Sequence, residues 1–245
     1  MKDKKLIAKF MGGSQSYGLS TPESDEDVRG VFLHTDPFYI IGLGRYEHVE
    51  DIKDGNDIKY KEFRAFVNLL RKGNTEAVEM LFLADERFEI LTEEMVKIRQ
   101  CKYSLIEPEK LFKVLLGYMQ GEKRLMNGER TGKLGSKRKN AIDKYGFSPK
   151  SATQLFRLAW AGRIFFNKGY FPVNIREENE DFANYLMAVK TNPERFTKEE
   201  LNAKVNQMEK ELKEAFDSRK NFGYEFSDVV ANDLVCETYT KVLDK

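Results

Sequence analysis

Two short clusters near the N-terminus carry residue types that can handle phosphate and metal: Gly12-Gly13-Ser14, and soon after it Asp25-Glu26-Asp27. Residues 5–11 are short and apolar and run into two glycines, which predicts a buried strand ending at a turn. Glycine allows close backbone approach and positive φ, leaving successive N–H groups free to face an anion. Ser14 is expected to cap a short helix through Gln15, Ser16 and Tyr17, adding a hydroxyl beside its positive end. Gly13 and Ser14 are therefore the candidate phosphate-binding residues.

The acidic run supplies the other half. Residues 25–33 become steadily more apolar and β-branched, which predicts a strand entering the core. Residues two apart on a strand face the same way, with Cα atoms roughly 7 Å apart. Asp25 and Asp27 could then converge on two cations about 3.5–4 Å apart, the arrangement used for in-line displacement at phosphorus. Magnesium needs only one or two carboxylates plus substrate phosphates, and manganese is an alternative. Arg29 falls on the same predicted face, available either to the carboxylates or to a phosphate. Taken singly, the first cluster reads better as an ordinary strand-to-helix turn and the second as a solvated acidic loop.

Taken together, Gly13-Ser14-x-x-Tyr17-Gly18-Leu19-x-Thr21-Pro22-x-Ser24-Asp25-x-Asp27-x-Arg29-Gly30-Val31 resembles the signature of the polymerase-β-like nucleotidyltransferases. It is most similar to their branch named for a predicted RNA repair pathway. Two later stretches carry the same resemblance: Arg71-Lys72-Gly73-Asn74 leading to Val78-Glu79-Met80-Leu81-Phe82, and Lys144-Tyr145-Gly146-Phe147 leading to Lys150 and Arg157. Glu26 departs from the pattern, since the superfamily usually places an apolar residue there, behind the metals.

The resemblance implies a third acidic residue on a later strand. Asp54-Gly55 is a hairpin signal, and Asp57-Ile58-Lys59-Tyr60 alternates polar and apolar. Asp57 is the candidate, with Asp54 and Glu62 as competitors because a one-residue change of register swaps faces. In the implied chemistry Asp57 is a general base and joins Asp25 and Asp27 as a metal ligand. A hydroxyl then attacks the α-phosphorus of a nucleoside triphosphate and pyrophosphate leaves. The implied acceptor is RNA or tRNA. A toxin-like enzyme acting on a protein or small molecule is the nearest rival, followed by a non-catalytic nucleotide- or RNA-binding module.

These clusters need a scaffold. The pattern predicts an α+β protein, with a small mixed-sheet catalytic domain over residues 1–105 and a helical domain over 106–245, meeting at a cleft. Residues 62–72 read as a helix with Phe63, Phe66, Val67 and Leu70 on one stripe, stopped by Gly73-Asn74. Glu79 follows at a spacing that also suits a surface salt bridge. Leu111, Leu115 and Met119 repeat every four residues. Ser151 is expected to cap a helix that Gly169 ends, Thr197 to Glu200 forms a capping box, and Ser227 caps a last helix. Lys150 and Arg157 lie seven residues apart, on one helix face, as candidate phosphate-binding cations.

Forty-one Lys and Arg offset 40 Asp and Glu, so the overall net charge of +1 does not point to nucleic acid. Residues 133–150 do, with six basic residues against Asp143; interrupted by glycines, they read as a basic loop able to follow a phosphate backbone, or as a solvated linker. Cys101 and Cys236 form no metal or redox spacing and are expected as small core residues. With His34 and His48 as the only histidines, a histidine-based site is not expected. No signal peptide or membrane-length apolar run is read, and a reducing, cytoplasmic setting is the expectation.

Overall fold

The computed structural model describes residues 3–44, 48–53, 56–129 and 135–244. Asp54, Gly55, Gly132 and Lys133 lie outside the described residues. The chain is α+β and divides into two compact units, Met1–Leu111 with Gly223–Lys245, and Phe112–Phe222. The expected break at residue 105 thus falls at Leu111, and the last 23 residues return to the first unit.

The first unit is built on a five-stranded mixed sheet of order β3-β4-β2-β1-β5. The strands are β1 (Lys4–Met11), β2 (Asp27–His34), β3 (Val49–Lys53), β4 (Asn56–Glu62) and β5 (Phe88–Leu91). β2 runs antiparallel to β1 and parallel to β4, with Met11 opposite Val28 and Asp27 opposite Asp57. The end of β1 and the beginnings of β2 and β4 therefore meet at one end of the sheet. Ile7, Val31, Phe32 and Leu33 are fully buried, so β1 and β2 carry much of the core. Gly30 belongs to that packing: a Cβ there would lie 2.2 Å from the Ala8 carbonyl oxygen.

Around the sheet lie α1 (Gly13–Ser16), α2 (Pro37–Ile40), α3 (Phe63–Arg71), α4 (Thr75–Phe82) and α5 (Glu93–Gln100). The predicted stripe of α3 is buried at Phe63, Phe66, Val67 and Leu70. Gly73 takes φ +71° between α3 and α4, a conformation L residues rarely adopt, and Asn74 caps α4 through the Ala77 N–H. Lys5 on β1 pairs with Glu94 on α5 at 2.7 Å. Burial pushes the Glu94 carboxyl up, but Lys5, Thr92 and the Glu94 backbone N–H together outweigh it and bring the pKa down to about 2 from an ordinary 4.5. A depressed carboxyl adds stability above its ordinary value, and that stability is lost as pH falls towards 2. Glu94→Gln is expected to be less stable than the parent at pH 6 and closer to it at pH 3, measured by urea unfolding.

The second unit is helical. It holds most of α6 (Pro108–Met126), then α7 (Ser136–Tyr145), α8 (Pro149–Lys168), α9 (Ile175–Glu178), α10 (Glu180–Thr191) and α11 (Lys198–Asp217). The final helix, α12 (Asp228–Leu243), belongs to the first unit. Leu115, Phe156 and Leu212 are fully buried, and a Cβ at Gly162 would meet Leu115 and Leu212, so α8 approaches α6 and α11 closely there. The capping box of Thr197 and Glu200 is present, and Ser227 caps α12. The cap of α8 is Ser148 rather than Ser151, because Pro149 with its preset φ already occupies the first helical position. Part of the expected basic loop is helix, since residues 136–145 form α7. Cys236 lies exposed on α12 instead of in the core.

Candidate active site

The turn after β1 is tied to β2 by its backbone, with the Gly12 N–H donating to the Asp27 carbonyl at 2.7 Å. Gly13 follows with φ +59°, and a Cβ there would lie 1.9 Å from Asp27 Oδ2. The lack of a side chain at Gly13 therefore gives the Asp27 carboxylate its room. Gly13→Ala is expected to displace that carboxylate and slow nucleotidyl transfer about 100-fold, with roughly 1–2 kcal/mol of stability lost to the strained φ, read by rate assay and thermal melt. The short helix begins at Gly13, with Gly12 as its cap and no side-chain capping bond. Ser14 thus lies inside the first turn, not at the cap expected of it.

Asp27 opens β2 and sits in register with Asp57 on β4. Asp25 does not share that strand; it is exposed on the segment leading into β2. Asp27 and Asp57, two of the three expected carboxylates, form a cross-strand pair, and Asp25 precedes the strand by two residues. Parallel pairing of β2 with β4 produces this, while the strand itself starts two residues later than the acidic run suggests.

Arg29 bridges the pair. Its Nη2 reaches Asp27 Oδ1 at 3.0 Å and Asp57 Oδ2 at 3.1 Å, its Nη1 donates to the Asp57 carbonyl at 2.7 Å, and its Nε meets Glu76 Oε1 at 3.2 Å. One planar guanidinium thus engages three carboxylates, which its fixed fork of donors allows and a lysine would not. Of the two roles open to Arg29, it takes the carboxylate one here. Lys59 adds a second cation at 3.0 Å from Asp57. Burial pushes the Asp57 carboxyl up, but Lys59 and Arg29 together hold it below its ordinary value. Asp57 is accordingly an anion at neutral pH.

Helix α4 supports both halves of this arrangement. Glu76 holds Arg29, and one turn later Glu79 accepts a hydrogen bond from Tyr17 at 3.0 Å. Glu79 is buried rather than on the surface. Lys59 and Glu76 were not among the sequence candidates. Lys59 stands two residues after Asp57 just as Arg29 stands two after Asp27, so the period of two carried the signal for it; nothing local marks Glu76.

Glu62 is fully buried at the far end of β4, capping α3 through the Ala65 N–H and pairing with Arg64 at 3.0 Å. In the second unit Lys150 is exposed, whereas Arg157 is buried and donates to Gln154 at 3.2 Å. The two do not present a common exposed face. His34 is buried and stacks on Tyr39 at 4.5 Å. Among the described residues no group of three or more His, Cys, Asp or Glu side chains is arranged to hold a metal ion. No described helix is long and apolar enough to cross a membrane.

A search of curated proteins finds no match. Among solved structures, the chain is similar to a nucleotidyltransferase-like protein from Exiguobacterium sibiricum 255-15, at 12% identity over 98% of this chain and 75% of that one, with a TM-score of 0.32. The model of the RNA repair pathway DNA polymerase beta family matches residues 2–231, and so takes in the turn, the paired carboxylates and the helical unit alike. By that match the chain belongs to the RNA repair pathway DNA polymerase beta family, and it is a nucleotidyltransferase.

Proposed function

We propose that this enzyme transfers a nucleoside monophosphate from a nucleoside triphosphate to a hydroxyl of RNA, tRNA included, in a magnesium-dependent reaction that releases pyrophosphate. The observation that carries the reading is the pairing of Asp27 with Asp57 beside the Gly12-Gly13 turn. Hard carboxylate oxygens suit magnesium, which needs only one or two of them beside the substrate phosphates. Asp27 and Asp57 would hold the ion, with Asp25 as a further donor from the segment before β2, and manganese as an alternative metal. Bound there, the metal supplies charge neutralisation for the triphosphate and polarises the α-phosphorus.

The chain's own groups do the rest. Gly13 and Ser14 offer backbone N–H groups to the phosphates from the turn. Asp57, held anionic by Lys59 and Arg29, accepts the proton of the acceptor hydroxyl. The hydroxyl oxygen bonds to the α-phosphorus as the bond to the bridging α–β oxygen breaks, and pyrophosphate departs with that oxygen. Arg29 is placed to share its guanidinium between the carboxylates and the negative charge that gathers around phosphorus. Lys150 is exposed and suited to a phosphate, whereas Arg157 is buried and donates to Gln154.

The test incubates the protein with each α-labelled nucleoside triphosphate, magnesium and total RNA. Label entering RNA, with release of pyrophosphate, is the expected result. Label entering protein instead would overturn RNA as the acceptor, and label entering nothing would overturn the reaction.

A further inference from the structure

The overall charge of +1 conceals a strong polarisation between the two units. Residues 112–222 hold 22 Lys and Arg against 14 Asp and Glu, a net +8, which leaves 19 against 26, a net −7, for the unit bearing the active site. The excess is concentrated further. Residues 112–170 contain 13 basic residues and only three acidic ones, Glu122, Glu129 and Asp143.

Several contacts gather these cations at one end of the helical unit. The Ser148 N–H donates to the Met126 carbonyl at 2.9 Å, joining the end of α6 to the start of α8. A Cβ at Gly128, just past α6, would lie 3.2 Å from Ile142 of α7. The elements that carry Arg124, the α7 lysines and Lys150 therefore adjoin, with α7 meeting the end of α6 at Ile142. Arg124, Lys137, Lys139, Lys144 and Lys150 are all exposed. None of the five forms an ion pair with a described residue. By contrast, Lys210 and Lys213 on α11 pair with Glu214 and Glu209. Three cations, Lys137, Arg138 and Lys139, also crowd the first turn of α7, where no acidic residue offsets them. The helix dipole disfavours positive charge at that end, so local stability does not account for their placement.

We infer that the surface formed by α7, the end of α6 and the start of α8 is the docking site for the phosphate backbone of a folded RNA. This rests on the acceptor reading above and adds where, and by what chemistry, that acceptor is held. Neutralising phosphates with lysine and arginine releases counterions, giving affinity without base preference. A single-stranded partner would need aromatic rings for its bases to stack upon. In this unit the one large apolar side chain exposed among the described residues is Tyr118, on the middle of α6. Backbone contact along a structured RNA is the mode that fits. The acidic charge of the first unit disfavours a polyanion there, which leaves the helical unit to supply the attraction.

The experiment uses the full chain and compares K137E/K139E/K144E with the parent and with K204E/K210E/K213E, an equal charge change on α11. Binding of deacylated tRNA is followed by fluorescence anisotropy over a salt series, with circular dichroism to confirm that each variant is folded. The α7 variant is expected to bind at least about tenfold more weakly and to lower the slope of log affinity against log salt by roughly 2–3. In the transfer assay its KM for RNA rises while kcat at saturating RNA stays within about twofold. The α11 variant is expected to retain most of the slope. An unchanged slope in the α7 variant, an equal loss in both variants, or tighter binding of duplex DNA than of RNA overturns the inference. If parent and α7 variant label RNA with the same KM, the docking surface falls while RNA stands as acceptor. If RNA binding needs these lysines but label never reaches RNA, the surface is supported and RNA as acceptor falls.

Discussion

An Asp27→Asn enzyme is expected to transfer nucleotide about a thousandfold more slowly than the parent while melting within a few degrees of it, a loss of roughly 4 kcal/mol in transition-state stabilisation. The substitution keeps the size of the side chain and one oxygen able to accept from Arg29 Nη2, now 3.0 Å away. It removes the negative charge that, with Asp57, fits a divalent cation. Arg29 keeps its contacts to Asp57 and Glu76 at 3.1 and 3.2 Å, so the turn and strands lose little support. A rate within tenfold of the parent, in the same labelled-triphosphate assay, would remove Asp27 from the reaction. Asp25→Asn makes the informative comparison. Asp25 is exposed and outside β2, so an equal loss there means its carboxylate serves the substrate from the segment before the strand.

The largest effect on stability is expected at Glu62. Its side chain is fully buried, caps α3 through the Ala65 N–H at 2.9 Å, pairs with Arg64 and accepts from the Tyr239 hydroxyl of α12. Arg64 in turn donates to the carbonyls of Ile40 and Tyr39. Burial, and then Glu62, push the Tyr239 hydroxyl pKa up, so it stays protonated and donating. Glu62→Ala strips the cap and leaves Arg64 and Tyr239 without their shared acceptor. Breaking a buried pair costs about 3–5 kcal/mol and losing a cap about 1 kcal/mol. The melting temperature is then expected to fall by roughly 10 °C or more, at about 2–4 °C per kcal/mol for a chain of this size. Glu62→Gln, which preserves the cap acceptor, should lose less than half of that. Equal melting of Glu62→Ala and the parent by calorimetry would show that the network carries no net stability.

Glu62 also shows why the third carboxylate was open from sequence. Asp57 and Glu62 are five residues apart on β4, an odd spacing, so they face opposite sides of the sheet. Which side holds the site depends on the pairing of β4 with β2, and a strand's own residues do not state which neighbour it will join.

Local chemistry was legible where a short run of residues determines its own conformation. The strand ending at Gly12-Gly13, the stripe of α3, the stop at Gly73, the capping box at Thr197 and the cap at Ser227 follow from steric limits and nearby hydrogen bonds. So did the types of residue at the site, since phosphate calls for glycine-lined backbone and divalent cations for carboxylate oxygen. Tertiary structure decided which of those residues meet. It paired Asp27 with Asp57 across two strands, set Arg29 between them, and brought Glu76 and Glu79 of α4 against the two halves of the site. It buried Arg157 and left Lys150 outside. Each of those outcomes depends on contacts between segments distant in the chain, whose energies local periodicity does not contain.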